Sequence, residues 1–219
     1  ARTLQTGIVV STDDGKELYS VCYYDRKGQL VQKRAENSLG GLDCYYYLYT
    51  YTGKVQSMLH EYVVGSSKQK EVYTYRYDNA DRLQQVLHQL NDGKIVSLQQ
   101  NAYDKHCRLI SQRVFERETV GYGYNVREWA TDITSTNFRE SLSYYDGKNR
   151  EFGGNISAMT WSANDESLKR KYDFSYDRLS RLTSASYSED NSINAHYDTR
   201  YTYDLMGNML TLKRNGLQD

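Results

Sequence analysis

Short runs in which aromatic or aliphatic residues alternate with polar residues follow one another along the chain. In the run VYTYRY, for example, Tyr73, Tyr75 and Tyr77 occupy every second position. Because side chains alternate between the two faces of a β-strand, these three rings are predicted to lie on one face. The best helix candidate is Asn164–Lys171, which is short and polar and is better interpreted as a connector. The pattern therefore predicts an all-β protein.

An internal repeat links these predicted strands. Each copy has an aromatic strand, a Tyr-Asp pair, a short polar turn and then Arg-Leu or an equivalent pair. Asp78 and Asp104 lie 26 residues apart, and Asp177 and Asp204 lie 27 apart, which is the regular spacing of a repeat architecture. The clearest copies are YYDRKGQLV from Tyr23, YRYDNADRLQQV from Tyr75, NAYDKHCRLISQ from Asn101, FSYDRLSRLTSA from Phe174 and YTYDLMGNMLTL from Tyr201.

The aspartate of each copy is predicted to cap its turn, because a carboxylate there accepts hydrogen bonds from backbone N–H groups further along. The residue three positions later is expected to adopt a left-handed conformation, which glycine adopts most easily. In three copies this position holds Asp81, Cys107 or Ser180, and the last two adopt the conformation at some cost. The predicted turn caps are Asp25, Asp78, Asp104, Asp177, Asp204, Gly28 and Gly207.

Each period also contains a second reversal, and Asn91-Asp92-Gly93 is the clearest example. The phrase YTYTGKVQ from Tyr49 replaces one copy of the repeat, and its turn is predicted to be shortened. Two strands per period give a long antiparallel meander of Tyr-Asp hairpins. We expect this sheet to curl into a spiral, partial-shell or barrel-like form, because a single layer must bury one face. Residues 1–219 are predicted to form one domain and to be a fragment of a longer chain.

Composition narrows the range of partners. The 28 basic and 28 acidic residues cancel, which argues against a nucleic-acid partner. No apolar run reaches 18 residues, so no membrane-spanning segment is predicted. Tyr supplies 23 residues, and its rings must therefore provide much of the apolar area. The three cysteines lack CxxC spacing, which argues against a disulfide framework.

No pattern of catalytic residues stands out. The Gly-Lys pairs lack the glycine of a phosphate-binding loop, and none of the four histidines has a partner at metal-ligand spacing. His60 and His88 are expected to face solvent or an interface. A carboxylate pair is the signature of a glycosidase, but an aspartate that recurs once per period is better explained as a turn cap. We predict that the chain is not an enzyme and needs no metal or cofactor.

The aromatic residues allow two interpretations. Exposed rings form stacking platforms for sugars or peptides, whereas cross-strand pairs of rings hold a sheet together. The second interpretation is preferred because the rings recur with the strands, and Arg or Lys on the return strands is expected to cover Tyr faces by cation–π contact. The candidate ligand-stacking residues are Tyr45, Tyr47, Tyr49, Trp129 and Trp161.

These phrases resemble the YD repeats of Rhs and tripartite toxin-complex proteins, from about Tyr23 to Asn215. The strings VYTYRYDNADRL, FGGNISAMTW and YTYDLMGNMLTL are most similar to Rhs-repeat proteins of gut Bacteroidetes, which are often labelled cell-wall-associated. The resemblance implies a β-ribbon that spirals into a hollow shell around a C-terminal toxin. It also implies an aspartyl self-cleavage site at an Asp-Pro pair, which is not expected here because the chain has no proline.

Two functions follow as hypotheses. The first is a structural segment of a secreted or surface-displayed bacterial protein, part of a β-shell or stalk that encloses or presents a C-terminal effector. The second is a carbohydrate-binding or adhesive surface module that uses Tyr-rich faces. The expected partners are further YD repeats of the same chain, a C-terminal toxin or a cell-surface glycan. Self-association through an unpaired sheet edge is also expected.

Overall fold

The computed structural model describes residues 4–163, 167–190, 192–193 and 195–216. Antiparallel strands pair with their neighbours in sequence, so the predicted all-β antiparallel meander is confirmed. The only helical element in this part of the chain is a short 3₁₀ turn, Ala195–Tyr197. The strands are β1 (Gly7–Ser11), β2 (Glu17–Tyr24), β3 (Leu30–Glu36), β4 (Leu42–Tyr49), β5 (Val55–Val64), β6 (Ser67–Tyr77), β7 (Leu83–Leu90), β8 (Val96–Tyr103), β9 (Leu109–Val114), β10 (Glu118–Tyr124), β11 (Ala130–Thr134), β12 (Phe138–Ser143), β13 (Ala158–Ala163), β14 (Arg170–Tyr176), β15 (Leu182–Glu189), β16 (Ser192–Ile193), β17 (Thr199–Tyr203) and β18 (Met209–Arg214).

The chain groups into two compact units. Unit 1 comprises residues 1–102 and 112–117, and unit 2 comprises residues 103–111 and 118–219. No helix in the described ranges has the length and hydropathy needed to cross a bilayer. The helix candidate Asn164–Lys171 lies partly outside the described residues, and its last two residues begin β14.

The side chains of the unit 1 strands alternate between a more covered and a more open face, as β-strand geometry requires. In β2, Leu18, Ser20, Cys22 and Tyr24 are half-buried, while the residues between them are exposed. The second reversals also lie where the sequence predicts them. Gly65 closes the β5–β6 hairpin with a φ of 57°, and the turn that contains Asn91 joins β7 to β8. Among the described residues of unit 1, Cys44 is the one apolar residue whose side chain is buried.

In unit 2, the strand register separates an aromatic face from a polar one. Tyr172 pairs with Tyr187 across β14 and β15, and their ring centroids lie 5.1 Å apart. On the opposite face, Lys171 pairs with Ser188 and Asp173 pairs with Ser186. Only 4% of Tyr187 is exposed, and this burial, together with a hydrogen bond to Glu189, raises the pKa of Tyr187 to about 12. Aromatic rings therefore form the core of unit 2.

Candidate functional site: the edge of Tyr-Asp turns

The turn at Asp78, in unit 1, shows how the repeat closes a hairpin. Asp78 Oδ1 accepts hydrogen bonds from the backbone N–H groups of Ala80 and Arg82, both at 2.9 Å. The main chain adds two bonds, from Asp78 N to the Arg82 carbonyl and from Asp81 N to the Asp78 carbonyl. Asp81 is left-handed, with a φ of 62°. This geometry is a type I turn followed by a left-handed bulge residue, a common three-residue hairpin loop.

The other four predicted caps have the same arrangement. Each accepts backbone N–H bonds from the second and fourth residues that follow it, at 2.8–3.0 Å. The third residue is left-handed in every case, with φ of 84° at Gly28, 65° at Cys107, 60° at Ser180 and 92° at Gly207. The carboxylate therefore satisfies N–H groups that the hairpin itself leaves unpaired. These four caps are Asp25, Asp104, Asp177 and Asp204.

The predicted shortening of the turn after Tyr49 is wrong. Thr50 N donates to the Lys54 carbonyl at 2.7 Å, and Gly53, with a φ of 90°, donates to the Thr50 carbonyl. The loop thus has the same length as the turn at Asp78. Thr50 Oγ1 replaces the carboxylate and accepts a hydrogen bond from Lys54 N. In unit 2, Asn125 replaces aspartate in the same way, with its Oδ1 accepting from Arg127 N and Trp129 N.

A second feature of this edge is a ladder of tyrosine hydroxyls that the sequence analysis did not foresee. The Tyr immediately before a turn donates its hydroxyl to a backbone carbonyl at the previous turn, where the return strand begins. In unit 1, Tyr49 donates to the Leu30 carbonyl at 2.7 Å, and Tyr77 to the Val55 carbonyl at 2.8 Å. We call this series of bonds the tyrosine ladder.

Unit 2 contains the same ladder. Its bonds measure 2.8–2.9 Å, and the acceptor again precedes the donor in sequence. The donor and acceptor pairs are Tyr124 with Leu109, Tyr144 with Ala130, Tyr176 with Ile156 and Tyr203 with Leu182. Phenylalanine has no hydroxyl and cannot form such a bond, so the ladder explains why the repeat uses Tyr.

A β-bulge directs five of these tyrosines, namely Tyr49, Tyr77, Tyr124, Tyr176 and Tyr203. The register of the Tyr-Asp hairpins shifts just before the tyrosine, for example between Arg76 and Tyr77 and between Ser175 and Tyr176. A bulge bends the strand and redirects a side chain. Each redirected ring points along the edge of the sheet towards the neighbouring hairpin, as its hydroxyl bond shows.

Arginine and lysine residues after the cap connect successive turns. Arg181 Nε lies 2.6 Å from Asp177 Oδ2, and its Nη1 donates to the Asp204 carbonyl at 2.8 Å. The same guanidinium lies 4.8 Å from the centroid of Tyr203. Arg108 and Lys54 make equivalent contacts with Tyr124 and Tyr77, at 5.0 and 5.3 Å. The predicted cation–π contacts of the return strands are therefore confirmed.

The hydrogen bonds at this edge shift the acidity of its groups. The side chain of Arg82 holds the pKa of Asp78 below its ordinary value of 3.8, and the side chain of Asn208 does the same for Asp204. The backbone N–H of Arg181 lowers the pKa of Asp177. Burial raises the pKa of Tyr77 and of Tyr176, whose hydroxyls are committed to the ladder. Charged carboxylates and neutral phenols are thus the forms that the fold requires.

The candidate stacking residues have partners within the sheet. Tyr45 stacks on His60 with ring centroids 4.4 Å apart, and Tyr49 belongs to the ladder. Trp129 contacts Tyr144 at 4.9 Å and Arg127 at 5.2 Å, while Trp161 lies 5.6 Å from Tyr172. Tyr47 is half-buried, and burial raises its pKa. Tyr45, Tyr49, Trp129 and Trp161 therefore have partners within their own unit.

His60 does not face solvent, because it lies half-buried between two carboxylates on adjacent strands. Its Nε2 is 3.1 Å from Asp43 Oδ1, and its Nδ1 is 3.5 Å from Glu71 Oε2. The register pairs His60 with both Tyr45 and Glu71, which explains the cluster. No group of three or more His, Cys, Asp or Glu residues suited to a metal occurs in the described ranges.

The fold and this edge define an antiparallel β-protein built on Tyr-Asp turns. No protein-family model matches the chain, and no curated protein matches its sequence. Solved structures with a similar fold include crystal structures of TcdB2-TccC3-Cdc42 and of TcdB2-TccC3 without its hypervariable C-terminal region. They share 10% identity with this chain, cover 91% and 92% of it, and give TM-scores of 0.38 and 0.40.

A third similar structure is a Tc holotoxin pore from Photorhabdus luminescens, with 10% identity, 90% coverage and a TM-score of 0.40. This chain spans only 15–16% of the length of the chains it matches.

Proposed function

We propose that this chain is a structural YD/Rhs-repeat segment of a secreted or surface-displayed bacterial protein. In this proposal it forms part of a β-shell or stalk that encloses or presents a C-terminal effector, and it has no catalytic activity. The observation that carries the proposal is the tyrosine ladder. A bond such as that from Tyr77 to the Val55 carbonyl couples one hairpin to the hairpin before it, so a wall of any length is reinforced at each repeat.

The use of acidic groups at the edge supports a role without catalysis. In four of the five capping aspartates, Oδ2 is also bound by the side chain of an Arg or Asn four residues later. In one example, Arg108 lies 2.7 Å from Asp104 Oδ2. A catalytic acid or base is needed once and must have a proton to exchange. A carboxylate whose oxygens are bound within its own turn is suited to holding a hairpin closed.

Proteolysis and imaging of the secreted parent protein test the enclosing role. We expect the repeat segment to resist limited proteolysis and any effector that follows it to be digested only after denaturation. Cryo-electron microscopy is expected to show the repeats as a wall around that effector. An effector that is digested in the native protein as fast as in the denatured one would contradict enclosure.

The absence of catalysis has its own test. The purified chain is incubated with a panel of aryl glycosides and aryl esters, and product release is compared with that in buffer. We expect no excess over buffer. Turnover that disappears in Asp104→Asn or Asp177→Asn would show that a capping aspartate is catalytic and would overturn this part of the proposal.

Further repeats or second copies are the partners that the sheet edge favours. Strand β18 is paired with β17, and all six of its residues are exposed, including Leu210 and Leu212. An exposed apolar edge strand is a template for pairing. Size-exclusion chromatography with light scattering should show association that Leu210→Lys weakens. A strict monomer at high concentration would argue against this contact.

A further inference from the structure

The turn edge is interrupted between β12 and β13. Residues 144–157 replace a Tyr-Asp turn there, although Tyr144 still donates its hydroxyl to the Ala130 carbonyl. The segment returns to the sheet at Asn149, whose Nδ2 donates to the Phe174 carbonyl and to Ser175 Oγ, both at 2.9 Å. A structural device recurs with the repeat, whereas a binding site needs to occur only once. The segment meets β14 on the face that carries the Ser175 side chain.

That face is the polar side of β14, β15 and β17. Lys171, Asp173 and Ser175 alternate along β14 and lie opposite Ser188, Ser186 and Ser184 of β15. Ser184 in turn pairs with Arg200 of β17, so Arg200 lies on the same face. Hydroxyls and charges on this surface contrast with the aromatic rings on the other side of the same strands.

A cavity of about 500 Å³ opens on this face. This volume is typical of small-molecule pockets, which measure roughly 300–1,000 Å³. The interrupting segment contributes Lys148 and Asn149, and the strands contribute serines and charged groups. Its polar lining suits a ligand that is itself rich in hydroxyls or charge.

The charged groups of the cavity divide into two kinds. Lys171 Nζ lies 2.8 Å from Asp173 Oδ1, and this pair is internally balanced. Asp198 Oδ1 accepts a hydrogen bond from Tyr187 N at 2.7 Å, which fixes the carboxylate at the cavity. Within the described residues, the side chains of Lys148 and Arg200 form no ion pair or hydrogen bond. Two cations are therefore available for an anion, next to carboxylate and serine oxygens that accept hydrogen bonds from hydroxyls.

We propose that this cavity binds one unit of an acidic saccharide, such as a uronic acid residue. Arg200 and Lys148 bind the carboxylate, because Arg offers paired N–H donors that match it. Ser186, Ser188 and Asp198 bind the ring hydroxyls. A bare inorganic anion is a poorer ligand, because it can meet the two cations but offers no hydroxyl donors to the carboxylates of Asp173 and Asp198. The proposal does not depend on the shell function, because a wall segment functions with or without a ligand.

Calorimetric titration tests the proposal on the 219-residue chain. The ligands are a galacturonic acid trisaccharide, the neutral galactose trisaccharide and sodium sulfate. We expect the acidic trisaccharide to bind at least about tenfold more tightly than the other two, a difference of about 1.4 kcal/mol. Added salt should weaken this binding, because an ionic contact contributes to it.

Variants locate the site. Arg200→Ala and Lys148→Ala should each weaken binding of the acidic trisaccharide about tenfold. The matched control is Arg178→Ala, because Arg178 is an exposed arginine in the Asp177 turn and does not line the cavity. Circular dichroism checks that each variant is folded. Ser188→Ala should weaken binding of both trisaccharides and leave sulfate binding unchanged.

Several outcomes would overturn the proposal. Equal binding of sulfate and the acidic trisaccharide would indicate a general anion site, and equal binding of the neutral trisaccharide would remove the role of the two cations. A folded Arg200→Ala chain that binds as tightly as the original would place the ligand elsewhere. The same conclusion follows if no heat is detected with any ligand at millimolar concentration.

Discussion

Arg181 joins two consecutive turns: its Nε lies 2.6 Å from the carboxylate of Asp177 in its own turn, and its Nη1 donates to the Asp204 carbonyl in the next. The same side chain covers the ring of Tyr203. A planar guanidinium forms these three contacts together, whereas an ammonium group is a single point of charge. The position four residues after the aspartate therefore links neighbouring hairpins as well as closing its own.

The first prediction concerns this link. Arg181→Lys keeps the charge, and Lys54 shows that an ammonium group still contacts the ring, but the variant loses the planar fork that binds Asp177 and the Asp204 carbonyl together. We expect faster amide hydrogen exchange in β17 and β18, measured by mass spectrometry, with little change in β13. Exchange that is unchanged in β17 and β18 would mean that Arg181 does not couple the turns.

The second prediction concerns the tyrosine ladder. Tyr176→Phe removes the hydroxyl that lies 2.9 Å from the Ile156 carbonyl. The free energy of unfolding should fall by about 1 kcal/mol, which is the typical net contribution of one hydrogen bond. Urea denaturation measures the change. Tyr51→Phe is the matched control, because Tyr51 is 97% exposed and lies outside the ladder; if both variants lose the same stability, the ladder bond contributes nothing.

The third prediction concerns the left-handed turn position. Ser180 has a φ of 60°, a conformation that costs a residue with a Cβ roughly 1–2 kcal/mol. Ser180→Gly should therefore raise the melting temperature, because this cost exceeds the roughly 0.4–1 kcal/mol that the added freedom of the unfolded chain takes back. Gly207→Ala is the reciprocal test: its φ is 92° and no atom lies within 4 Å of the added Cβ, so backbone strain alone should lower the melting temperature. A stabilising Gly207→Ala would contradict the argument.

The fourth prediction concerns acid. The pKa values of Asp78, Asp177 and Asp204 are lowered from 3.8 in the folded chain. A lowered pKa stabilises the fold at pH values above 3.8, and this stabilisation is lost as pH falls through the folded pKa. The free energy of unfolding should thus decrease as pH falls below about 4, and denaturation curves at several pH values measure it.

Two variants at one position separate charge from hydrogen bonding in acid. Asp204→Asn should keep most of the stability at neutral pH, since Asn125 caps its own turn through Oδ1. It should also reduce the dependence on pH. Asp204→Ala should lose stability at all pH values, because no acceptor remains for the N–H groups of Met206 and Asn208. If the free energy of unfolding of Asp204→Asn keeps the full dependence on pH, the Asp204 carboxylate does not contribute to that dependence.

Local signals were sufficient to predict the turns. Asp78 and the left-handed Asp81 lie within four residues of each other, so their relation is visible in a short sequence window. Thr50 was misinterpreted because a hydroxyl replaces the carboxylate, although Gly53 at the left-handed position was the signal that could have identified it. The ladder was missed because its acceptors are backbone carbonyls, which any residue provides, about 20 residues from the donor.

The polar cavity was out of reach for a related reason. Ser186 and Arg200 come to one face only through the register of three strands, and Lys148 reaches it through an interruption of the repeat. The string FGGNI from Phe152, at the end of that interruption, lacks the alternation of the repeats. It did not indicate which face the segment would cover.

Within each unit, the direction of the ladder restricts how such a sheet changes length. Each ladder tyrosine donates to an earlier hairpin, and its acceptor lies on the same edge, at the start of the adjacent preceding strand. If one strand were removed, every later turn would lie at the opposite edge of the sheet. The tyrosine hydroxyls and the carbonyls that accept their hydrogen bonds would then lose their partners. Removing a complete hairpin keeps the two edges distinct, so proteins of this kind should lengthen or shorten only by whole pairs of strands.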